Sequence, residues 1–473
     1  MIVLDSTIIA VALPTIVADL HLTADVLIWI VNAYLLSYGG LLLLCGRLGD
    51  LYGRRNLFLL GISLFTLASF ACGLAHTAVM LGVARAVQGL AGATVTAVSL
   101  SLITTLFPES LGTGERAKAM GVYGFVCAAG GSVGGVLGGF LTHTLGWHWI
   151  FFINIPIGIV VYILCSIFLA RDRPSERQTP LDIGGAATIT AALSLSVYTL
   201  ANYDSMGWSA GQVGAALLVV LLLVSLFASI EIRVREPLIP LRLFKVRNFS
   251  IGSCVGVLWA AGSSAWFVVS ALYLQRILGY DPFLVGVSFL PSSLIIAVFS
   301  VGLSGPVVTK LGVRRSIWLG LLLSTAGLTL FARAPVNATF LGDVLPGMVL
   351  MGLGSGVASA PLLLAAMNGV SPKDSGVASG IINTAFVMGA IIGLAALVSL
   401  ANAYTTRLEQ SGVGTVFALT GGYHLAFLVG AVLTAAAAAI VASMLPSNPT
   451  TTASEAPDSA GTLYAQASFT SRE

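Results

Sequence analysis

Long apolar runs, separated by short polar segments, make up most of this chain. A helix needs about 20 apolar residues to cross the hydrocarbon core of a bilayer. Fourteen runs approach that length, so the pattern predicts an all-α, polytopic membrane protein. The fourteen predicted helices cover residues 1–18, 26–45, 57–75, 78–107, 118–142, 147–169, 183–203, 211–230, 249–272, 283–305, 316–334, 339–368, 376–403 and 421–445.

One polar sequence occurs twice between neighbouring apolar runs. Its first copy, from Gly46 to Arg55, follows the second run, and its second copy, from Gly305 to Arg315, follows the tenth. Such a repeat indicates two related halves, with a substrate site between them near the membrane midplane. We expect an N-terminal six-helix half at 1–170, a linker with two additional helices at 171–248, a C-terminal six-helix half at 249–446 and a disordered cytoplasmic tail at 447–473.

Composition and charge agree with a membrane location. The chain is 57% hydrophobic and 9% charged, whereas soluble domains average about 25% charged residues. If the N-terminus is cytoplasmic, the cytoplasmic side receives all Lys and Arg residues except Arg85, Arg276, Arg333 and Arg407. Because positive charge stays on the cytoplasmic side, we expect a multi-pass protein with both termini in the cytoplasm. The high Ala and Gly content and the compact loops indicate a bacterial inner (plasma) membrane. We expect a monomer that binds no nucleic acid.

Asp5 is the only acidic residue that the pattern places within a predicted span. A carboxylate inside a bilayer is costly and normally functional, and such a group suits proton exchange. The alternative is that Asp5 caps a short helix at the membrane surface. The first span reaches only about 25 Å, which is short of the membrane core and places Asp5 near the surface. We therefore expect the natural chain to begin further upstream.

Arg85 is the only basic residue placed deep within a span. It needs a carboxylate, a backbone carbonyl or water as a partner. At helical spacing Arg85, Gln88, Gly89 and Gly92 share one face, and the two glycines allow a neighbouring helix to approach closely. Arg85 could serve proton coupling, form a purely structural ion pair, or extend its head group to a membrane surface.

The fifth apolar run contains two interleaved series of glycines at four-residue spacing. This spacing permits close packing of helices in a membrane, and packing alone explains it without any transport role. The two series are Gly130, Gly134 and Gly138, and Gly131, Gly135 and Gly139.

Several of these segments resemble signatures of one transporter family. The Gly46–Arg55 sequence resembles the signature between helices 2 and 3 of the major facilitator superfamily. Four further segments resemble motifs of its fourteen-helix drug/proton antiporter branch, the multidrug resistance transporter family: Leu4–Pro14, Arg85–Gly92, Gly130–Gly139 and Trp147–Gly158. The chain departs from these motifs at Ala10 (for Asn), at Gly131 and Gly135 (for Pro) and at His148 (for Arg).

The resemblance implies roles for individual residues. Asp5, Arg85 and Gln88 would couple transport to protons. A conformational latch would comprise Gly46, Arg47, Gly49, Asp50, Gly53, Arg54, Arg55, Lys310, Arg314 and Arg315. Helix packing and gating would involve Gly89, Gly130, Gly131, Gly134, Gly135, Gly138, Gly139, Asn154 and Pro156. Trp29 and Tyr34 would line the substrate pocket.

These observations favour a proton-coupled exporter of small hydrophobic drugs or toxic compounds, cationic ones included, that works by alternating access. The proton gradient would be its energy source, without a cofactor. The histidines lack metal-ligand spacing, and we expect no metal site. Neither a phosphate-binding loop nor a convergent catalytic set is present, so we expect no enzyme. The open alternatives are an exporter of a self-made metabolite such as an antibiotic, an importer of polar solutes, and a membrane receptor that does not transport.

Overall fold

A computed structural model of the chain describes residues 1–22, 24–106, 113–169, 182–202, 210–234, 237–299, 303–371 and 375–446. The regular structure within these residues is helical. The α-helices are α1 (Ile2–Asp19), α2 (Ala24–Tyr52), α3 (Arg54–Gly73), α4 (Ala78–Leu106), α5 (Thr113–Thr144), α6 (Trp149–Phe152), α7 (Asn154–Phe168), α8 (Ile183–Asn202), α9 (Ala210–Arg233), α10 (Arg247–Arg276), α11 (Pro282–Ser288), α12 (Leu290–Val298), α13 (Ser304–Leu311), α14 (Val313–Phe331), α15 (Leu345–Met367), α16 (Ser375–Gln410) and α17 (Thr415–Met444). A 3₁₀ segment, Leu241–Lys245, precedes α10, and a π-helical segment, Phe340–Val344, precedes α15.

Each of the fourteen predicted segments contains helix. In the described part of the chain, eight helices are long and apolar enough to cross a membrane, or nine if the bent α1 counts as one span. The chain is therefore an all-helical membrane protein, while the count of fourteen spans remains a prediction. The predicted tail at 447–473 lies outside the described residues.

Helix α1 bends by 59° between Ile2–Ile9 and Val11–Asp19. Pro14 lies within this helix. Proline lacks a backbone N–H and its ring clashes with the carbonyl four residues earlier, which here belongs to residue 10. The bend therefore lies at the position where Pro14 disrupts the helix. It separates the segment that carries Asp5 from the rest of the helix.

The first polar repeat is mostly helical, so the predicted end of the second helix at residue 45 is wrong. Helix α2 continues to Tyr52, and only Gly53 leaves the helical conformation. Gly46 and Gly49 lie against α4 and extend the packing of α2 on that helix. Gly53 (φ 92°) and Gly312 (φ 79°), in the second copy, both have a positive φ that glycine adopts without steric cost. The repeat is thus a one-residue break between two helices.

The helices form two bundles, which we call the N-terminal bundle (α1 to α7) and the C-terminal bundle (α10 to α17). Their contacts join α5 to α11 and α12, α2 to α16, and α1 to α10. Helix α8 packs against both α2 and α16, and the hydroxyl of Thr190 donates to Gly40 O at 2.9 Å. Helix α9 packs on α8 and is otherwise largely exposed. The additional helices therefore cover a seam between the bundles.

Candidate functional site

Asp5 is the centre of a buried polar network in the N-terminal bundle. Its side chain is 0% exposed. Asp5 is therefore enclosed by protein, whereas its position in the sequence predicts a location near the membrane surface. Oδ2 of Asp5 accepts a hydrogen bond from Arg85 Nη1 at 2.7 Å. Oδ1 accepts from Gln88 Nε2 at 2.9 Å and from Asn154 Nδ2 at 2.8 Å. Helices α1, α4 and α7 thus meet at a single carboxylate.

Arg85 forms the positive side of this network and is 1% exposed. Its Nη1 also donates to Gln88 Oε1 at 2.6 Å. Its guanidinium carbon lies 4.1 Å from the ring centroid of Tyr34 and 5.9 Å from that of Phe151. An aromatic face attracts a cation most strongly where water is excluded. Arg85 is therefore compensated by a carboxylate, an amide and two rings.

Gln88 extends the network to α3. Its Nε2 donates to the hydroxyl of Ser69 at 2.8 Å, and the thiol of Cys72 lies 3.7 Å from its Oε1. Ser69 and Cys72 are both 0% exposed. These two residues were not predicted from the sequence, because serine and cysteine are also common in packed helix interiors. No signal in the sequence distinguishes them.

Glycines allow the helices that carry the network to approach one another. A Cβ at Gly134 of α5 would lie 2.8 Å from Leu4 O, and one at Gly138 would lie 2.8 Å from Ile8 O. Real Cβ atoms do not approach backbone oxygen so closely, so these two positions fix the segment of α1 around Asp5 against α5. Gly89 of α4 lies against the backbone of Tyr34 in the same way. That contact brings the Tyr34 ring over Arg85.

Three buried polar atoms of the network lack a hydrogen-bond partner among the described residues. They are Arg85 Nε, Asn154 Oδ1 and Tyr34 Oη. Buried polar groups are nearly always paired, so unpaired atoms around an ion pair indicate a site that can rearrange. The network therefore combines a carboxylate, a cation and spare hydrogen-bonding capacity.

The two polar repeats each tie an arginine to the end of another helix. Arg55 Nη2 donates to Ser166 O at 2.6 Å, in the last turn of α7. Arg314 Nη2 donates to Ala442 O, in the last turn of α17. The last carbonyls of a helix lack intrahelical partners and favour cations. In this structure these arginines therefore bind within their own bundles.

Among the other charged residues of the predicted latch, the structure describes some side chains and not others. Lys310 and Arg315 are exposed, and Arg54 is half-buried. The side chains of Arg47 and Asp50 lie outside the described residues. The structure therefore describes no latch contact by Asp50, and the latch remains a prediction.

The two predicted pocket residues have different surroundings. Tyr34 is buried under Arg85 and stacks on Tyr38 at 5.8 Å. The ring centroid of Trp29 lies 5.4 Å from that of Tyr198 on α8. Tyr34 contacts the network, and the substrate role of both residues remains a prediction.

A second polar contact joins the end of α1 to the segment between α5 and α6. Trp147 Nε1 donates to Asp19 Oδ2 at 2.8 Å, and the ring of His148 stacks on Trp147 at 3.8 Å. We call this side of the molecule the Gly146 end; the opposite side, with Gly53 and Gly312, is the Gly53 end.

Sequence comparison relates the chain to a transporter family. Residues 1–394 match the family described as Major Facilitator Superfamily. The chain is 36% identical to the puromycin resistance protein pur8 of Streptomyces alboniger, over 93% of this chain and 88% of that protein. It is 34% identical to the cephamycin export protein CmcT of Amycolatopsis lactamdurans, over 94% and 90%. It is 33% identical to the multidrug resistance protein Stp of Mycobacterium tuberculosis, over 85% and 74%.

Solved structures share the fold. The human organic anion transporter MFSD10 superimposes with a TM-score of 0.61 and 16% identity, covering 93% of this chain and 96% of that one. An auto-inhibited peptide transporter of the POT family superimposes with a TM-score of 0.62 and 15% identity, covering 93% and 95%. At such identities the likeness concerns the fold alone.

Proposed function

Because this chain belongs to the major facilitator superfamily, we propose that it is a proton-coupled exporter of small hydrophobic compounds that works by alternating access. It is a membrane transporter, and relatives that cover most of its length are named for resistance to, or export of, antibiotics and drugs. We assign residues 1–170 and 249–446 to the two halves, with the additional helices between them and fourteen spans in all. Both termini would lie in the cytoplasm.

The buried carboxylate of Asp5 carries the proposal. An acidic group enclosed by membrane helices is costly unless it has a task, and Asp5 has a full set of donors around its ionised form. A proton on Asp5 removes the negative charge and leaves Arg85 with Gln88 and the rings of Tyr34 and Phe151 as its neighbours. Protonation therefore changes the balance of forces among α1, α4 and α7. This is the electrostatic change that alternating access needs.

The charges of the network restrict the substrate. Asp5 and Arg85 compensate each other while Asp5 is ionised, so the network offers no net negative charge to a substrate. We expect neutral or monovalent lipophilic compounds, rather than dications, to be transported. Other buried acids of the described residues, Asp182 and Glu231, lie at ends of α8 and α9, away from this network.

Efflux by cells or vesicles that contain the protein tests the proposal. We expect ethidium or puromycin efflux that stops when an uncoupler collapses the proton gradient. Asp5→Asn should reduce gradient-driven efflux to background, because the group can no longer release a proton. Asp19→Asn is the matched control, since Asp19 lies on the same helix and an asparagine oxygen can still accept from Trp147.

Two outcomes would contradict the proposal. Wild-type efflux that survives the uncoupler would exclude proton coupling. Equal efflux by Asp5→Asn and Asp19→Asn, with both proteins present in the membrane, would remove Asp5 from the mechanism.

A narrower function is the second candidate. Two relatives are named for a single antibiotic, puromycin or cephamycin, which supports an exporter of one self-made metabolite. Resistance profiles distinguish the two functions. Protection against several unrelated lipophilic compounds indicates a general drug exporter, whereas protection against one compound class indicates the narrower one.

A further inference from the structure

Asn154 lies where the sixth predicted span is interrupted. It is the first residue of α7, which follows α6 after Ile153, and it is 0% exposed. Its Nδ2 donates to Asp5 Oδ1 at 2.8 Å. Its other amide atom, Oδ1, is buried without a partner among the described residues. Asn154 therefore uses one side of its amide on Asp5 and leaves the other side unpaired.

The surroundings of Asp5 suit a carboxylate better than a carboxylic acid. Among the described residues, three side-chain groups form hydrogen bonds with Asp5, and all three are donors: Arg85 Nη1, Gln88 Nε2 and Asn154 Nδ2. A protonated Asp5 has an O–H group that itself needs an acceptor. The titratable groups that face Asp5 from neighbouring helices are Arg85 of α4, Cys72 of α3 and Tyr34 of α2.

Two amide oxygens are near enough to be considered as that acceptor. Gln88 Oε1 already accepts from Arg85 Nη1 at 2.6 Å and lies beside the Cys72 thiol. Asn154 Oδ1 has no such partner. A half-turn of the Asn154 amide exchanges Nδ2 and Oδ1, because the two atoms occupy nearly the same space. After this half-turn, Oδ1 would face Asp5 and accept its proton.

We propose that Asn154 is a positioning residue that responds to the protonation of Asp5: its amide donates to the ionised carboxylate and turns over to accept from the protonated acid. This inference rests on the proposed function, because it requires Asp5 to be the group that binds the proton. The turn gives a partner to the Oδ1 atom that is unpaired in this structure, and it moves Nδ2 to the position that Oδ1 leaves. Protonation of Asp5 on α1 thereby changes the hydrogen bonding at the start of α7, and no charged side chain has to move.

Difference infrared spectroscopy of the full-length protein in liposomes, recorded across a pH step, tests this. With asparagine side chains isotopically labelled, we expect wild-type protein to show a carboxyl band on protonation together with a labelled amide band. Asn154→Leu should lose the amide band and retain the carboxyl band, shifted to higher wavenumber because the acid has lost its acceptor. Asn32→Leu is the matched control: Asn32 is also buried in the N-terminal bundle, and it should leave both bands unchanged.

The outcomes separate this inference from the proposed function. An amide band that persists in Asn154→Leu, or a wild-type carboxyl band without any amide change, would overturn the role of Asn154 alone. If Asp5→Asn loses no part of the wild-type carboxyl band, Asp5 does not bind the proton, and the proposed function would fail.

A flux measurement provides the second readout. Asn154→Leu should lose efflux driven by a pH gradient while it retains exchange of labelled for unlabelled substrate. A purely structural role would reduce both fluxes together, and that result would also contradict the inference.

Discussion

Asp5 and Arg85 lie 80 positions apart in the chain, yet Asp5 Oδ2 and Arg85 Nη1 lie 2.7 Å apart in the fold. Removing one partner of a buried ion pair leaves an uncompensated charge, whereas removing both leaves none. The energetic effect of either residue therefore depends on the presence of the other. The pair is best treated as one unit whose total charge is zero.

A double-mutant cycle measures this dependence. Arg85→Gln and Asp5→Asn should each lower the free energy of unfolding, and Arg85→Gln should do so by about 3–5 kcal/mol because it leaves the Asp5 charge unpaired. The double variant should be clearly more stable than the sum of the two losses predicts. Denaturant unfolding of the detergent-solubilised proteins gives the three values, and strictly additive losses would contradict a direct pair.

The two charged residues of the site could be predicted from the sequence, but their neighbours could not. Charges are so rare in these spans that Asp5 and Arg85 stand out and need partners. Ser69 and Cys72 resemble many other small residues, and their role depends on which face of α3 meets α4. Asn154 was identified in the sequence only through a motif linked to packing. Its contact with Asp5 follows from the arrangement of α1 and α7.

Among the elements, the crossing of α1 and α5 determines where Asp5 lies. Gly134 and Gly138 place the backbone of α1 directly on α5, while Gly130 and Gly131 on the same helix have more space. The glycine series in the sequence predicted close packing. The sequence did not show which glycines lie at the closest approach, because that depends on the crossing angle of the helices.

Alanine substitutions distinguish these glycines. Gly134→Ala places a Cβ 2.8 Å from Leu4 O and should displace α1, with a loss of about 1–3 kcal/mol in stability and loss of gradient-driven efflux. In Gly131→Ala the new Cβ meets nothing closer than 3.8 Å, so we expect stability and efflux close to wild type. Thermal unfolding and vesicle efflux of both variants provide the comparison. Equal behaviour would mean that the crossing does not position Asp5.

Helix boundaries were predicted less well than helix positions. The pattern located helix in all fourteen segments, because apolar runs of membrane length have few alternatives. It missed the extension of α2 to Tyr52, since glycine and charge usually indicate a loop. It also missed the interruption between α6 and α7 and the break at Phe289 between α11 and α12. These breaks depend on tertiary contacts.

Considered as a whole, the molecule is closed at the Gly146 end. Helix α11 lies against α5 through Gly286 and Gly135, and Gln275 Nε2 of α10 donates to Val11 O of α1 at 3.2 Å. Val11 lies in the same buried cluster as Trp266 of the C-terminal bundle. Opening of this end requires these contacts between the bundles to separate. The close contact of α5 with α11 is therefore a point where the conformational balance can be shifted.

Substitution of the two facing glycines should shift that balance unequally. A Cβ at Gly286 would clash with the backbone of Gly135 and Val136, whereas a Cβ at Gly135 would meet nothing closer than 3.9 Å. Gly286→Ala should therefore favour the state that is open at the Gly146 end, and Gly135→Ala should not. Spin labels at Thr144 and Leu284, read by pulsed dipolar spectroscopy, should show a longer distance in Gly286→Ala. An unchanged distance distribution would indicate that this contact does not control opening.

The buried ion pair also has a consequence for how the protein is made. Helix α4 must enter the membrane with Arg85 in its interior, and an arginine at the centre of an inserting helix costs about 2.5–3.5 kcal/mol. Its counter-ion lies on α1, which leaves the ribosome long before α4 does. The first helix can therefore act as an internal insertion partner that retains Asp5 in the membrane until the fourth helix arrives. On this view, the order of synthesis allows the residues proposed for transport to assist biogenesis first.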